Sequence, residues 1–308
     1  MGKDKIQKLL TDIRAGSYNA LARGITWVEN ALPGYEDLLL QLEDTHKARV
    51  LGITGPPGAG KSTIVNALLK YWVAQGKKIA VIAVDPSSPF NYGALLGDRI
   101  RMIEFYNHPN VFIRSLASRG ALGGLHSRII EITDLVKSAP FDLILVETVG
   151  VGQSEVEIAG LADCTVVALV PEAGDEIQTL KAGIMEIANI FVVNKADREA
   201  AETLYRNLRI LVHEKATDNN EIPVVKTIAT NSTGIDELAQ AVDAYFEAHN
   251  SLPEKRLHLL AEKSWQIIQA QRMKDIDRRK LTEALRVALE QPGFNIYAFT
   301  KNFAGEIQ

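Results

Sequence analysis

Cysteine is nearly missing from this chain: Cys164 stands alone among 308 residues. One thiol cannot close an internal disulfide, so a cross-linked secreted scaffold is excluded and a reducing compartment is expected. Set in an apolar run, Cys164 reads as a small core hydrophobe rather than a reactive thiol. A basic excess is missing too. With 34 Lys and Arg against 38 Asp and Glu, the formal net charge is −4. No cationic stripe of the kind that tracks a phosphate backbone is present, so no nucleic-acid partner is expected. No apolar run approaches the ~20 residues of a membrane-spanning helix. The opening residues, Met1 to Gln7, are charged and polar and hold no apolar core of a signal peptide. Ile6 stands where myristoylation at Gly2 would want Ser or Thr. These absences predict a cytoplasmic chain with no membrane partner.

What is present is an ordinary globular composition, 46% hydrophobic and 23% charged. Its length is enough for a core that needs no staples. Ile6, Leu9, Leu10 and Ile13, then Leu21, Ile25 and Val28, recur at helical spacing. They predict a helical N-terminal extension over residues 1–46, punctuated by Pro33 and Gly34. From about residue 48 the pattern changes to short, continuous, β-branched runs at 50–54, 79–84, 111–113, 143–146, 164–170, 190–193 and 224–228. Each is followed by a helix-sized segment. Continuous rather than alternating apolar runs are how strands buried on both faces read. The long connections at 85–110 and 114–141 suit parallel crossovers. The prediction for 47–250 is a doubly wound, mostly parallel α/β sheet. Beyond a linker at 252–256, Leu257, Leu260, Trp265, Ile268, Leu281, Leu285 and Leu289 predict a charged helical arm over 251–308.

Residues 55–62 read Gly-Pro-Pro-Gly-Ala-Gly-Lys-Ser, with Thr63 following. This is a phosphate-binding loop, and it lies where one belongs, between a predicted strand and a predicted helix. Glycines let backbone N–H groups converge on phosphate oxygens, and the helix N-terminus adds its partial positive charge. Gly55, Pro57, Gly58, Ala59, Gly60, Lys61, Ser62 and Thr63 are the candidate contacts. Lys61 would reach the β- and γ-phosphates, and the Ser62 hydroxyl would bind Mg²⁺. Asn194-Lys195-Ala196-Asp197 follows the run at 190–193 and fits the N-K-x-D pattern of guanine-binding proteins. The Asp197 carboxylate can accept from guanine N1–H and its exocyclic amine, donors that adenine lacks there, and unpaired buried groups penalise the wrong base. Asn194 can bond the base edge or brace the loop, and the Lys195 stem can cover the ring. Ala229, after the next strand, offers a backbone N–H to guanine O6, although Ile228 stands where Ser is usual. GTP or GDP with Mg²⁺ is the predicted cofactor set. Asp85, Asp98 and Glu147 are the acidic candidates between the two anchors, and Glu147 with Gly150 fills the places of a D-x-x-G motif. The residue after Gly150 is Val151, which cannot orient an attacking water, so slow intrinsic hydrolysis is expected.

The strings AVDPSSPF, LGDRIRM, ETVGVGQSE and NKAD, together with GPPGAGKST, resemble the MeaB/ArgK family, G-proteins associated with methylmalonyl-CoA mutase, to which the methylmalonic aciduria type A protein belongs. The resemblance spans nearly the whole chain. It implies a P-loop domain of the SIMIBI type and a cytoplasmic homodimer. The apolar positions at helical spacing over 257–290 need a surface to bury against and predict that the C-terminal arm builds the dimer, the alternative being packing back on its own G domain. It also implies a GTPase that chaperones an adenosylcobalamin-dependent acyl-CoA mutase, gating cofactor delivery and protecting the enzyme. By the same resemblance Asp98 and Glu147 are the Mg²⁺-side carboxylates. The segment 172–181 is a loop that senses the partner, with Lys181 able to stabilise charge on the phosphates. Asn91-Tyr92 departs from the small residues relatives often carry there. Competing readings are a metal-insertion GTPase, disfavoured by one Cys and six scattered His, a kinase, and a scaffold with structural nucleotide.

Overall fold

A computed structural model describes residues 3–43, 48–85, 102–117, 125–148, 154–172, 185–215, 221–249, 254–273, 276, 278–291 and 293–305. Among these, seven strands form one sheet: β1 Arg49–Thr54, β2 Ile79–Asp85, β3 Val111–Ala117, β4 Leu143–Glu147, β5 Cys164–Leu169, β6 Ile190–Asn194 and β7 Val224–Thr227. Their order is β3-β2-β4-β1-β5-β6-β7, and every pairing is parallel. Chain order reverses on either side of β1, which has β4 on one flank and β5 on the other. That crevice is where ligands bind in open α/β sheets.

The doubly buried strands follow from their composition. Leu51, Ile53, Val166, Ala168, Ile190 and Val192 share one core with helices α4 (Lys61–Ala74) and α8 (Ile235–Ala248). Their alternates Val167, Leu169, Phe191 and Val193 share the other with α7 (Ala201–Lys215). Helix α6 (Ser154–Leu161) packs on β1 and β5. Strand β3 runs four residues beyond the predicted 111–113, through Arg114 and Ser115. It is an edge strand, paired on one side only, and polar residues are tolerated there.

The N-terminal helices, α1 Lys3–Arg14, α2 Tyr18–Glu29 and α3 Tyr35–Leu39, bury all seven predicted apolar positions. Ser17 caps α2 by accepting from the Ala20 N–H. The Tyr18 hydroxyl donates to the Pro109 carbonyl at 2.8 Å, and its ring packs on Phe112 and Phe141. Arg114 reaches Glu29 at 2.6 Å. The helices thereby seat on the β3 side of the sheet and on α5 (Ile129–Lys137). Residues 1–256 form one compact unit and 257–308 a second. The second contains most of α9 (Glu254–Arg272), with α10 (Arg278–Leu289) and α11 (Ile296–Gly305) in contact with each other. Several of its large apolar side chains face solvent, among them Trp265, Ile268, Val287, Leu289 and Tyr297. Among the described residues no helix is long and apolar enough to cross a membrane.

At the opposite edge of the sheet from the crevice, three strand entries are pinned by side chains. Asp142, Asp163 and Asn189 each precede a strand and accept from the backbone at the start of a neighbouring one: the N–H groups of Lys78, just before β2 (2.7 Å), Val50 in β1 (2.8 Å) and Thr165 in β5 (2.8 Å).

Candidate functional site

Strand β1 delivers the chain into the phosphate loop, and α4 begins at Lys61. Gly55 has φ +140°, and a Cβ there would stand 2.0 Å from the Ala168 carbonyl oxygen on β5. Gly60, at φ +81°, lies against the base motif: an added Cβ would meet Asn194 Nδ2 at 2.4 Å. Both the backbone conformation and the space therefore demand glycine at these two places. Pro57 and Gly58 form the exposed rim of the loop, Ala59 is buried beneath it, and Thr63 is half-buried in the first turn of α4. The Lys61 ammonium is buried and donates to the carbonyls of Gly55 (2.8 Å) and Pro56 (3.0 Å).

Ser62 Oγ donates to Glu147 Oε1 at 2.6 Å, joining α4 to the end of β4 in a buried contact. Both groups are hard oxygen donors at the carboxyl edge of the sheet. That donor chemistry suits Mg²⁺ and would not select a soft metal. Beside them Thr54 Oγ1 and Thr148 Oγ1 meet at 2.9 Å. Asp85 ends β2 at the same edge; its side chain, and Asp98, Gly150 and Lys181 altogether, lie outside the described residues.

The base motif leaves the end of β6. Asn194 is 3% exposed. Its Nδ2 donates to the Ala59 carbonyl at 2.9 Å, while its Oδ1 accepts from Thr227 Oγ1 (3.1 Å) and from the Ala229 N–H (3.2 Å). Of the two roles open to Asn194 in the sequence, the bracing one is seen here. The Ala229 N–H, the candidate donor to guanine O6, already has an acceptor in Asn194, which a base oxygen would have to share or replace. Lys195 adopts φ +56°, a left-handed conformation rare for residues with a side chain. The Ala196 N–H donates to the Thr227 carbonyl at 3.0 Å. This turn leaves Asp197 exposed, with no partner among the described residues. Arg198 pairs with Glu172, at the start of the segment that follows β5. Cys164 lies buried in β5, and burial, reinforced by the neighbouring Asp163 charge, pushes its thiol well above the ordinary range. Thr54 and Thr227, each the last residue of its strand, carry none of the motif signals in the sequence, and Thr148 falls inside the ETVGVGQSE string without a role of its own there.

A phosphate loop and a guanine motif some 130 residues apart are thus held together through one buried asparagine. Two such motifs on a doubly wound parallel sheet define a P-loop GTPase. The comparisons place it further. The family described as Methylmalonyl Co-A mutase-associated GTPase MeaB matches residues 21–282, and the chain belongs to that family. It is 44% identical over 265 residues to a Pyrococcus abyssi protein named as a GTPase, covering 83% of this chain and 82% of that one. It is 38% identical over 241 residues to the GTPase ArgK of Escherichia coli, covering 75% and 72%. Among solved structures it is similar to that of a LAO/AO transport system kinase, with a TM-score of 0.69 and 25% identity over 100% of this chain and 99% of that one.

Proposed function

We propose that this GTPase serves an adenosylcobalamin-dependent acyl-CoA mutase of the methylmalonyl-CoA mutase type, gating cofactor loading and protecting or reactivating the enzyme. The observation that carries the nucleotide half is the Asn194 brace, which makes the phosphate loop and the guanine motif one site. The family's description as mutase-associated supports the partner. In this reading the backbone N–H groups at Gly58–Thr63 and the Lys61 ammonium hold the phosphates, and Asp197 selects guanine with Lys195 along the ring. Ser62 and Glu147 hold Mg²⁺, joined by Asp85 and Asp98, and the cation supplies charge neutralisation on the β- and γ-phosphates. Gly150 meets the γ-phosphate. Lys181, carried by the segment after β5, is brought to the phosphates by the partner. The exposed apolar residues of the C-terminal unit support an arm, residues 251–308, that pairs with a second copy in the cytoplasm.

The experiment is a pull-down from the source cell with and without a non-hydrolysable GTP analogue, followed by phosphate release in the presence of the captured protein. Recovery of an acyl-CoA mutase in a nucleotide-dependent manner, and its stimulation of hydrolysis, is the expected result. Recovery of none would sink the partner assignment. The similar solved protein is named as a kinase. Tracing the γ-phosphate of GTP separates the two: inorganic phosphate as sole product supports hydrolysis, and a labelled acceptor supports the kinase.

A further inference from the structure

We infer that the buried Thr54–Thr148 hydroxyl pair is a positioning device for Mg²⁺: it fixes Glu147 against Ser62 and thereby sets how tightly the nucleotide site holds the cation. The inference rests on the reading of Ser62 and Glu147 as the metal-side groups.

Strands β1 and β4 are paired in register as far as Ile53 and Glu147. There they part, β1 into the phosphate loop and β4 toward the E-T-x-G segment. Thr54 is the last residue of β1, and Thr148 is the first after β4. At this fork the two hydroxyls meet at 2.9 Å, and the Thr148 N–H donates to the Ile53 carbonyl at 3.1 Å. Both side chains are sealed from water, and neither hydroxyl has another partner among the described residues. Such a contact has no solvent competitor and is costly to leave half-made.

Its position gives it leverage. Thr54 directly precedes Gly55, whose carbonyl accepts from Lys61. Thr148 directly follows Glu147, whose carboxylate accepts from Ser62 at 2.6 Å. One hydroxyl contact therefore ties the loop bearing Lys61 and Ser62 to the strand end bearing Glu147. A cation held by oxygens from two separate elements is sensitive to small slips between them, because Mg²⁺ demands near-octahedral geometry at about 2.0–2.1 Å. Packing does not call for threonine at either place. Valine has the same shape, and the strands here are otherwise apolar, with Ile53 and Val146 fully buried. The hydroxyls are the feature that packing leaves unexplained.

The test compares Thr54→Val, Thr148→Val, the double variant and Thr148→Ser in the full chain, with Glu147→Gln as reference. Release of a fluorescent GDP analogue is followed against free Mg²⁺, and the melting temperature is measured without nucleotide. Each single valine is expected to raise the Mg²⁺ midpoint about tenfold, the scale of one buried hydrogen bond, while release in EDTA is unchanged. Each also lowers the melting temperature, since one hydroxyl is left alone. The double variant recovers the melting temperature but keeps the raised midpoint, and Thr148→Ser stays close to the parent in both. If the single variants do not fold, the double variant and Thr148→Ser decide the question. Should Glu147→Gln leave the midpoint unmoved, the metal-side reading itself falls, and the positioning role falls with it. If Glu147→Gln moves the midpoint and the threonine variants do not, or if the double variant regains its midpoint together with its stability, the pair is only a core contact and the inference is overturned.

Discussion

Individual residues here divide into those that touch a ligand and those that hold the first kind still. Asp197 is proposed to be of the first kind. It is exposed at the end of the base turn, and nothing among the described residues competes for its carboxylate. Replacing it with Asn exchanges an acceptor for a donor. Asp197→Asn is expected to lose GTP and gain xanthosine nucleotides, whose C2 carbonyl accepts that bond; competition binding of the two nucleotides checks it, and unchanged preference would remove Asp197 from the base site. Gly60 is of the second kind. A methyl group at its Cβ would stand 2.4 Å from Asn194 Nδ2, on a backbone at φ +81°. Gly60→Ala is expected to destabilise the fold by about 1–3 kcal/mol and to weaken nucleotide binding by more than its loss of stability explains. Denaturant melts alongside nucleotide titration would expose the alternative, in which stability alone changes.

At the scale of elements, the strands were legible in the sequence because parallel strands in an α/β sheet covered by helices on both faces must be apolar on both faces. The runs from 50 to 54 and from 190 to 193 needed no other information. The N-terminal helices were legible for a similar reason: one apolar stripe implies one buried face, and all seven stripe residues are buried. Strand β3 was half missed. Arg114 and Ser115 interrupt its apolar run, and only its place at the sheet edge makes them acceptable. The phosphate loop and the N-K-x-D turn were legible because each is a contiguous string. The Thr54–Thr148 pair joins residues 94 positions apart and leaves no periodic trace. The pins at the far edge of the sheet are hidden in the sequence for the same reason. Asp163 accepts from the Val50 N–H, and its own N–H donates to the Val50 carbonyl, so it sets where β1 starts. Asp163→Ala leaves a buried backbone donor unmatched and is expected to cost about 1–3 kcal/mol. Asp163→Asn keeps an acceptor and should recover most of that loss in the same chemical-denaturation measurement.

For the whole molecule, the division at residue 256 sets the natural cut. The Arg49 guanidinium reaches the carbonyls of Phe246 and His249, so the end of α8 belongs to the first unit and should be kept with it. A chain ending at Arg256 is expected to be monomeric and to bind GTP as the full chain does. The full chain is expected to be a dimer in sedimentation or light scattering, because Trp265 (60% exposed) and Tyr297 (82% exposed) are costly to leave in water. A dimer that persists after the cut would place the interface elsewhere.

Asn194 has a thermodynamic consequence as well as a structural one. The same amide closes the floor of the phosphate loop and the wall of the base turn, so neither half of the nucleotide pocket can be ordered without drawing on the other. Split the ligand into guanosine and pyrophosphate, and the first fragment to bind should meet most of the ordering cost, leaving the second to bind more tightly. The two fragments are therefore expected to show positive cooperativity in calorimetry, reciprocal whichever is added first. Asn194→Ala should make them indifferent to each other. Independent binding in the parent protein would mean that the pocket is two rigid sites sharing a wall, and that nucleotide exchange can proceed one end at a time.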